Sequence, residues 1–187
     1  MLNLNFRAEG IDAISESLGA TEKQVKFALS RAAQRTAATL RKQASKGFKS
    51  ELDVKKMAFI RKRLRAIKIQ GASVAGAKLW FGLNPLPLSM LRGSAHGSRS
   101  GGASWSGKAG RVNYPHGFIL SGKNGRGKSI YSRDGKARTP IREVSVAIDS
   151  KMNSFIKDDV FDDVEQLFMR NFIKDLNARI NYNIGGR

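Results

Sequence analysis

From Thr21 to Lys46 the chain carries neither proline nor glycine. Nothing there breaks a helix, and small or apolar residues recur every three or four positions: Val25, Ala28, Leu29, Ala32, Thr36, Ala37, Leu40 and Ala44. Such spacing lines one face of a helix. Thr21-Glu-Lys-Gln24 supplies a capping box at its start, able to satisfy N–H groups that a helix leaves unpaired. A helix over residues 22–46 spans roughly 37 Å at 1.5 Å rise per residue. Any fold of this chain must therefore house a long rod with an alanine-rich stripe, which a neighbour can approach closely. Lys26, Arg31, Arg35, Arg41, Lys42 and Lys46 fall on its flanks and outer face.

Around the rod the pattern is mixed. Leu2, Leu4 and Phe6 alternate with polar residues as a short strand, and Gly10 and Gly19 bracket a short helix bearing Ile11, Ile14 and Leu18. Gly47 and Ser50-Glu-Leu-Asp53 predict a break, after which Val54–Arg65 reads as a second, strongly basic helix. Ile67 and Ile69 begin β territory, and a strand through Lys78-Leu-Trp-Phe81 should close near Asn84, ahead of Pro85 and Pro87. Residues 92–113 hold six glycines and almost no aliphatic side chain, which predicts a long, flexible, basic Gly/Ser loop. Tyr114–Leu120 and Lys128-Ser-Ile-Tyr131 read as strands joined by the Gly122–Gly125 turn, with Asp134-Gly135 turning the chain again. Ile141, Val144, Val146 and Ile148 lead into a last helix over 158–181, striped by Val160, Phe161, Val164, Leu167, Phe168, Phe172, Leu176 and Ile180. The expected class is α+β: long N-terminal helices, a small antiparallel sheet with a long loop, and a C-terminal packing helix. At 187 residues a single domain is expected, helical over 10–66, β-rich with the loop over 67–148, and closed by a helix over 150–181.

Composition then excludes whole classes of function. There is no cysteine, which removes disulfide scaffolds, thiolate zinc sites and cysteine nucleophiles. The two histidines, His96 and His116, sit among Gly, Ser and Pro and are too few for a histidine metal cage. No cofactor is expected. The first residues lack the basic and apolar regions of a signal peptide, and no apolar run is long enough to span a membrane.

Charge is both high and uneven. Lys and Arg number 34 against 15 Asp and Glu, a net of +19. Residues 23–68 carry 15 bases and two acids; residues 89–142 carry 11 bases and one acid. By contrast, residues 1–22 hold one base and four acids, and from 151 onward there are six of each. Two positive segments between balanced ends imply a face or lumen that meets a polyanion, with other surfaces meeting protein.

Three motifs invite sharper readings. Gly122-Lys-Asn-Gly-Arg-Gly-Lys128-Ser129 matches a phosphate-binding P-loop in spelling, but that chemistry needs a helix immediately after it. Ile130, Tyr131, Asp134-Gly135 and Pro140 argue against one. Asp158, Asp159, Asp162 and Asp163 fit the positive end of a helix dipole better than a metal site. Trp105 and Tyr114 amid Arg99, Lys108 and Arg111 could grip a single strand or anchor in a neighbouring subunit. Nothing in the chain assembles an acid–base pair or an activated nucleophile, so a non-enzymatic role is expected.

The order of pieces resembles a known family. An Ala-rich basic helix is followed by Asp53-Val-Lys-Lys-Met-Ala-Phe-Ile-Arg-Lys-Arg-Leu64, then by Asn84-Pro-Leu-Pro-Leu88. Gly117-Phe-Ile119, a hairpin and Gly135-Lys-Ala-Arg138-Thr-Pro140-Ile141 come next, before the last helix. From about residue 20 to 175 this resembles the minor tail protein Z family, the tail completion proteins of long-tailed bacteriophages. The resemblance implies a virion protein, made in the host cytoplasm and placed at the head-proximal end of the tail. Its implied partners are itself, as a ring of sixfold order, the tail terminator, the C-terminus of the tape measure protein, head–tail connector proteins and DNA without sequence preference.

On that reading Lys42, Lys46, Lys55, Lys56, Arg61, Arg63, Arg99, Lys108, Arg111, Lys123, Arg126 and Lys128 contact DNA or acidic partners. Trp105, Tyr114, Arg138, Phe161, Phe168 and Phe172 contact neighbouring subunits, with Arg142 placed beside Arg138 in hairpin packing or the same interface. A basic DNA- or RNA-binding accessory protein that works as a monomer would carry the same charge.

Overall fold

A short strand, β1 (Leu2–Asn3), and helix α1 (Glu9–Ser17) precede the rod, helix α2 (Glu22–Leu52), in a computed structural model that describes residues 2–3, 9–69, 76–97, 101–121, 128–133, 135 and 138–185. The chain forms two compact units: residues 1–44, 64–81 and 156–187 make the first, and residues 45–63 and 82–155 the second. Both mix helix and antiparallel sheet, so the class is α+β.

In the first unit the capping box forms as its spelling requires. The Thr21 N–H donates to Gln24 Oε1 at 3.0 Å, and the Gln24 N–H donates back to Thr21 Oγ1 at 3.3 Å. Ala28, Ala32, Ala37, Leu40 and Ala44 are buried as the spacing predicted, joined by Ala33. Thr36 is buried on the same face, and its hydroxyl accepts from Asn171 Nδ2 at 3.0 Å. Strands β2 (Leu64–Ile69) and β3 (Gly76–Phe81) pair antiparallel from Leu64↔Phe81 to Ile69↔Gly76, and β1 pairs with the other edge of β3. The C-terminal helix α5 (Val164–Asn181) sends Phe168, Phe172 and Leu176 into this core. Before it, Ile156–Val160 forms a π-helical turn, closed by the Phe161 N–H on the Ile156 carbonyl at 3.1 Å.

One buried carboxylate organises the charged side of α2 and α5. Asp175 Oδ2 accepts from Arg179 Nε at 2.7 Å, while its Oδ1 lies 3.5 Å from Arg35 Nη1 and 3.9 Å from Arg31 Nε. Arg31 and Arg35, read from the sequence as cations of the flanks and outer face, are thus drawn to a shared anion.

The second unit begins with the last turns of α2, which pass through Gly47 without a break. The predicted stop fails for a packing reason: a Cβ at Gly47 would fall on the ring of Phe155, so glycine there is a contact surface. The helix ends instead at Asp53, whose φ of 49° is left-handed, a conformation Asp tolerates better than most residues. The second helix is also shorter than predicted. Val54 forms a β-bridge to Leu91, and the Lys55 N–H donates to the Met90 carbonyl at 3.0 Å, so only Met57–Arg61 (α3) is helical.

Strands β4 (Leu86–Pro87), β5 (Gly93–Gly97), β6 (Ala103–Gly107), β7 (Gly110–Tyr114), β8 (Phe118–Ser121), β9 (Lys128–Arg133), β10 (Ile141–Glu143) and β11 (Ser145–Val146) follow. They build antiparallel sheets in the orders β5-β6-β7 and β10-β9-β8, with β11 paired to β4. Helix α4 (Asp149–Phe155) closes the unit. Glu143 pins several of these pieces: its Oε1 accepts from the Ser129 hydroxyl at 2.6 Å and from the Ser89 N–H at 2.8 Å.

The greatest departure from the sequence reading lies at 92–113. What reads as a flexible loop is the β5-β6-β7 sheet, paired from Gly93↔Gly107 to Gly97↔Ala103 and from Ala103↔Tyr114 to Gly107↔Gly110. Two of its glycines serve contact. The Trp105 indole is 2% exposed and lies over Gly93 and Gly107, where a Cβ on either would collide with the ring.

Candidate nucleic-acid interface

Exposed cations occur along three stretches. Lys42 and Lys46 project from α2, Lys56 and Arg61 from the N-cap and body of α3, and Arg111 and Lys128 from β7 and β9. Ion pairs among the described residues engage Asp175, Asp53 and Glu51, and none of these six cations takes part. They are positive charges presented to solvent with no acidic partner among the described residues, as phosphate binding by counterion release requires.

Other residues of the predicted contact set have structural duties. The Arg63 guanidinium is half-buried and donates to the carbonyls of Gly82, Asn84 and Pro85. Burial lowers its pKa from the ordinary arginine value. Arg63 is therefore a clamp on the chain leaving β3, a correction to its reading as a DNA contact. Lys55 is exposed, but its Nζ donates to the Ser89 carbonyl at 2.9 Å. Lys108 Nζ likewise donates to the Ser50 carbonyl at 3.0 Å, and the Lys108 carbonyl accepts from Lys151 Nζ at 3.0 Å. Arg99, Lys123 and Arg126 lie outside the described residues.

The predicted subunit contacts divide in the same way. Trp105, Phe168 and Phe172 are at most 2% exposed, so each is core and none is open to a neighbour. Phe168 and Phe172 stack with ring centroids 6.4 Å apart. Phe161 is half-buried, edge-on to Phe81 at 6.1 Å. The Tyr114 hydroxyl donates to the Ser145 carbonyl at 3.3 Å, and Arg138 is exposed. The exposed large apolar side chains include Phe27, Tyr182 and Ile184, none of them singled out from the sequence, because helical periodicity alone places Phe27 beside the stripe and says nothing of residues past its end.

The remaining motifs resolve plainly. Lys128 and Ser129 open a strand, which removes the helix a P-loop needs; residues 122–127 of that motif lie outside the described residues. Asp158 and Asp159 fall in the π-helical turn, Asp162 and Asp163 in the bend before α5, and no metal-binding cluster occurs among the described residues. Among those residues no helix is long and apolar enough to cross a membrane. Both histidines and Arg111 border an open trough of about 1040 Å³ beside β5-β6-β7.

No curated protein and no solved structure matches the chain. The family described as prophage minor tail protein Z (GPZ) matches residues 9–185, both units included. The chain belongs to the prophage minor tail protein Z family and is a structural component of a phage tail.

Proposed function

We propose that the protein completes the head-proximal end of the tail, as a ring in the neck beside the tail terminator, the tape measure C-terminus and the head–tail connector. Tails need it, on this reading, to join filled heads productively. The observation that carries the proposal is the surface charge: Lys42, Lys46, Lys56, Arg61, Arg111 and Lys128 are exposed without acidic partners among the described residues. A ring through which DNA passes needs such a surface, because it must hold phosphate at any sequence.

Head-to-tail contacts close a ring when the rotation between copies is right. Phe27, Tyr182 and Ile184, exposed by 48%, 77% and 52%, supply apolar surface for that contact in place of the buried Phe168 and Phe172. Phe161, Tyr114 and Arg138 are further contacts to neighbouring subunits on this reading. The test is complementation. Tails assembled without the protein should fail to join DNA-filled heads, and the purified chain should restore infectious titre. Tails that join and infect without it would overturn the reading in favour of a nucleic-acid accessory protein.

A further inference from the structure

The sheet β5-β6-β7 has two unlike faces. Ala95, Ala103, Trp105, Val112 and Tyr114 share the side that packs inward, with Ala103 and Trp105 fully buried. The alternate positions form two cross-strand rows on the other side: His96, Ser104 and Asn113 in one, Ser94, Ser106 and Arg111 in the next. Rows two residues apart along a strand stand roughly 7 Å from each other. Along these rows lies the trough of about 1040 Å³, bordered by the polar residues His96, Ser104, Ser106, Arg111, Asn113 and His116 together with Gly101, Trp105 and Pro115.

Its chemistry is one-sided. Hydroxyl, amide, imidazole and guanidinium groups can all donate hydrogen bonds, and none of the described residues bordering the trough is acidic. Six of the nine described residues that border it are polar, more than the few convergent polar groups of a small-molecule site. Arg together with Ser and Asn side chains is the donor set that holds phosphate oxygens and positions nucleic acid without reading bases. Donors repeated in rows suit a regularly repeating anion better than the irregular carboxylates of an acidic peptide.

We propose that this trough is a phosphodiester-backbone site, in which Arg111, Asn113, Ser104 and Ser106 hold DNA while exposed cations elsewhere on the chain, such as Lys56 and Arg61, add unspecific attraction. The assignment rests on the DNA-facing reading above and narrows it to one surface. The chain has only two histidines, and both border the trough, so their ring NMR signals report on it alone.

The experiment is titration of the full chain with a short labelled duplex, read by anisotropy and by the two imidazole signals. Both imidazole signals should shift as the duplex binds. Arg111→Gln should weaken binding roughly tenfold, the loss of one charge-assisted contact. It should also reduce the slope of log affinity against log salt by about 1. Ser104→Ala with Asn113→Ala should weaken binding with the slope kept, and matching thermal melts would show that these variants fold. Binding that Lys56→Ala and Arg61→Ala weaken, while the imidazole signals and the trough variants stay unmoved, would overturn the trough and leave the DNA reading standing. No binding at all would overturn both. Displacement of the duplex by polyglutamate from the wild type, with Arg111→Gln blind to polyglutamate, would make the trough an acidic-peptide site instead.

Discussion

Single side chains dictate the second unit more than its composition does. Trp105 needs bare backbone at Gly93 and Gly107, so glycine there is a packing requirement. Gly107→Ala should cost about 1–3 kcal/mol, the usual penalty of overpacking, seen as a lower urea midpoint at unchanged slope. An unchanged midpoint would mean that the indole is not seated on the strand. In the first unit Asp175 has the comparable role, since its loss leaves Arg31, Arg35 and the nearly buried Arg179 facing one another. Asp175→Asn should cost about 1–3 kcal/mol, chiefly the charge-assisted hydrogen bond to the nearly buried Arg179, since Arg31 and Arg35 stay largely solvated. Neither packing role was legible in the sequence, where Trp105 reads as a strand-gripping or interface residue. Trp105 alternates with Ser104 and Ser106 as a strand residue should, yet its cross-strand neighbours are Ala95 and Val112 amid glycine, too weak a hydropathy contrast to signal a sheet. Asp175 is one acid on a helix whose partners lie far away in sequence.

At the scale of elements, strong periodicity was legible and interruptions were not. The capping box, the α2 stripe, the β8–β9 pairing and the apolar face of α5 all lie where spacing places them. Gly47 misled because glycine is ordinarily a poor helix former. That gives a test whose sign decides the matter. Gly47→Ala should stabilise a free helix by about 1 kcal/mol on propensity alone. Against the Phe155 ring it should instead destabilise, and the loss should be relieved in a Phe155→Leu background. A stabilising Gly47→Ala in the native background would contradict the packing. Within the basic segment, Arg63 and Arg61 should behave oppositely. Arg63→Ala should lower stability by about 1–3 kcal/mol, since it strips donors from three carbonyls, and should leave DNA affinity alone. Arg61→Ala should leave the melt unchanged and weaken DNA binding. The reverse result for the pair would show that the two arginines had been misassigned.

For the molecule as a whole, charge was legible in amount and its placement only in part. The sequence marks the positive segments, but folding decides which cations are spent on carbonyls and shared anions and which remain for a partner. Arg63, Lys55, Lys108, Arg31 and Arg35 are engaged; Lys42, Lys46, Lys56, Arg61, Arg111 and Lys128 face solvent without acidic partners among the described residues. The family, in contrast, is written along nearly the whole chain, from residue 9 to 185. Location within the virion tests the head-proximal assignment most directly. Negative-stain imaging of tails carrying a gold-labelled copy of the chain should place the label at the head-proximal end and at no other position. Label along the tube or at the distal tip, or none on purified tails, would contradict it.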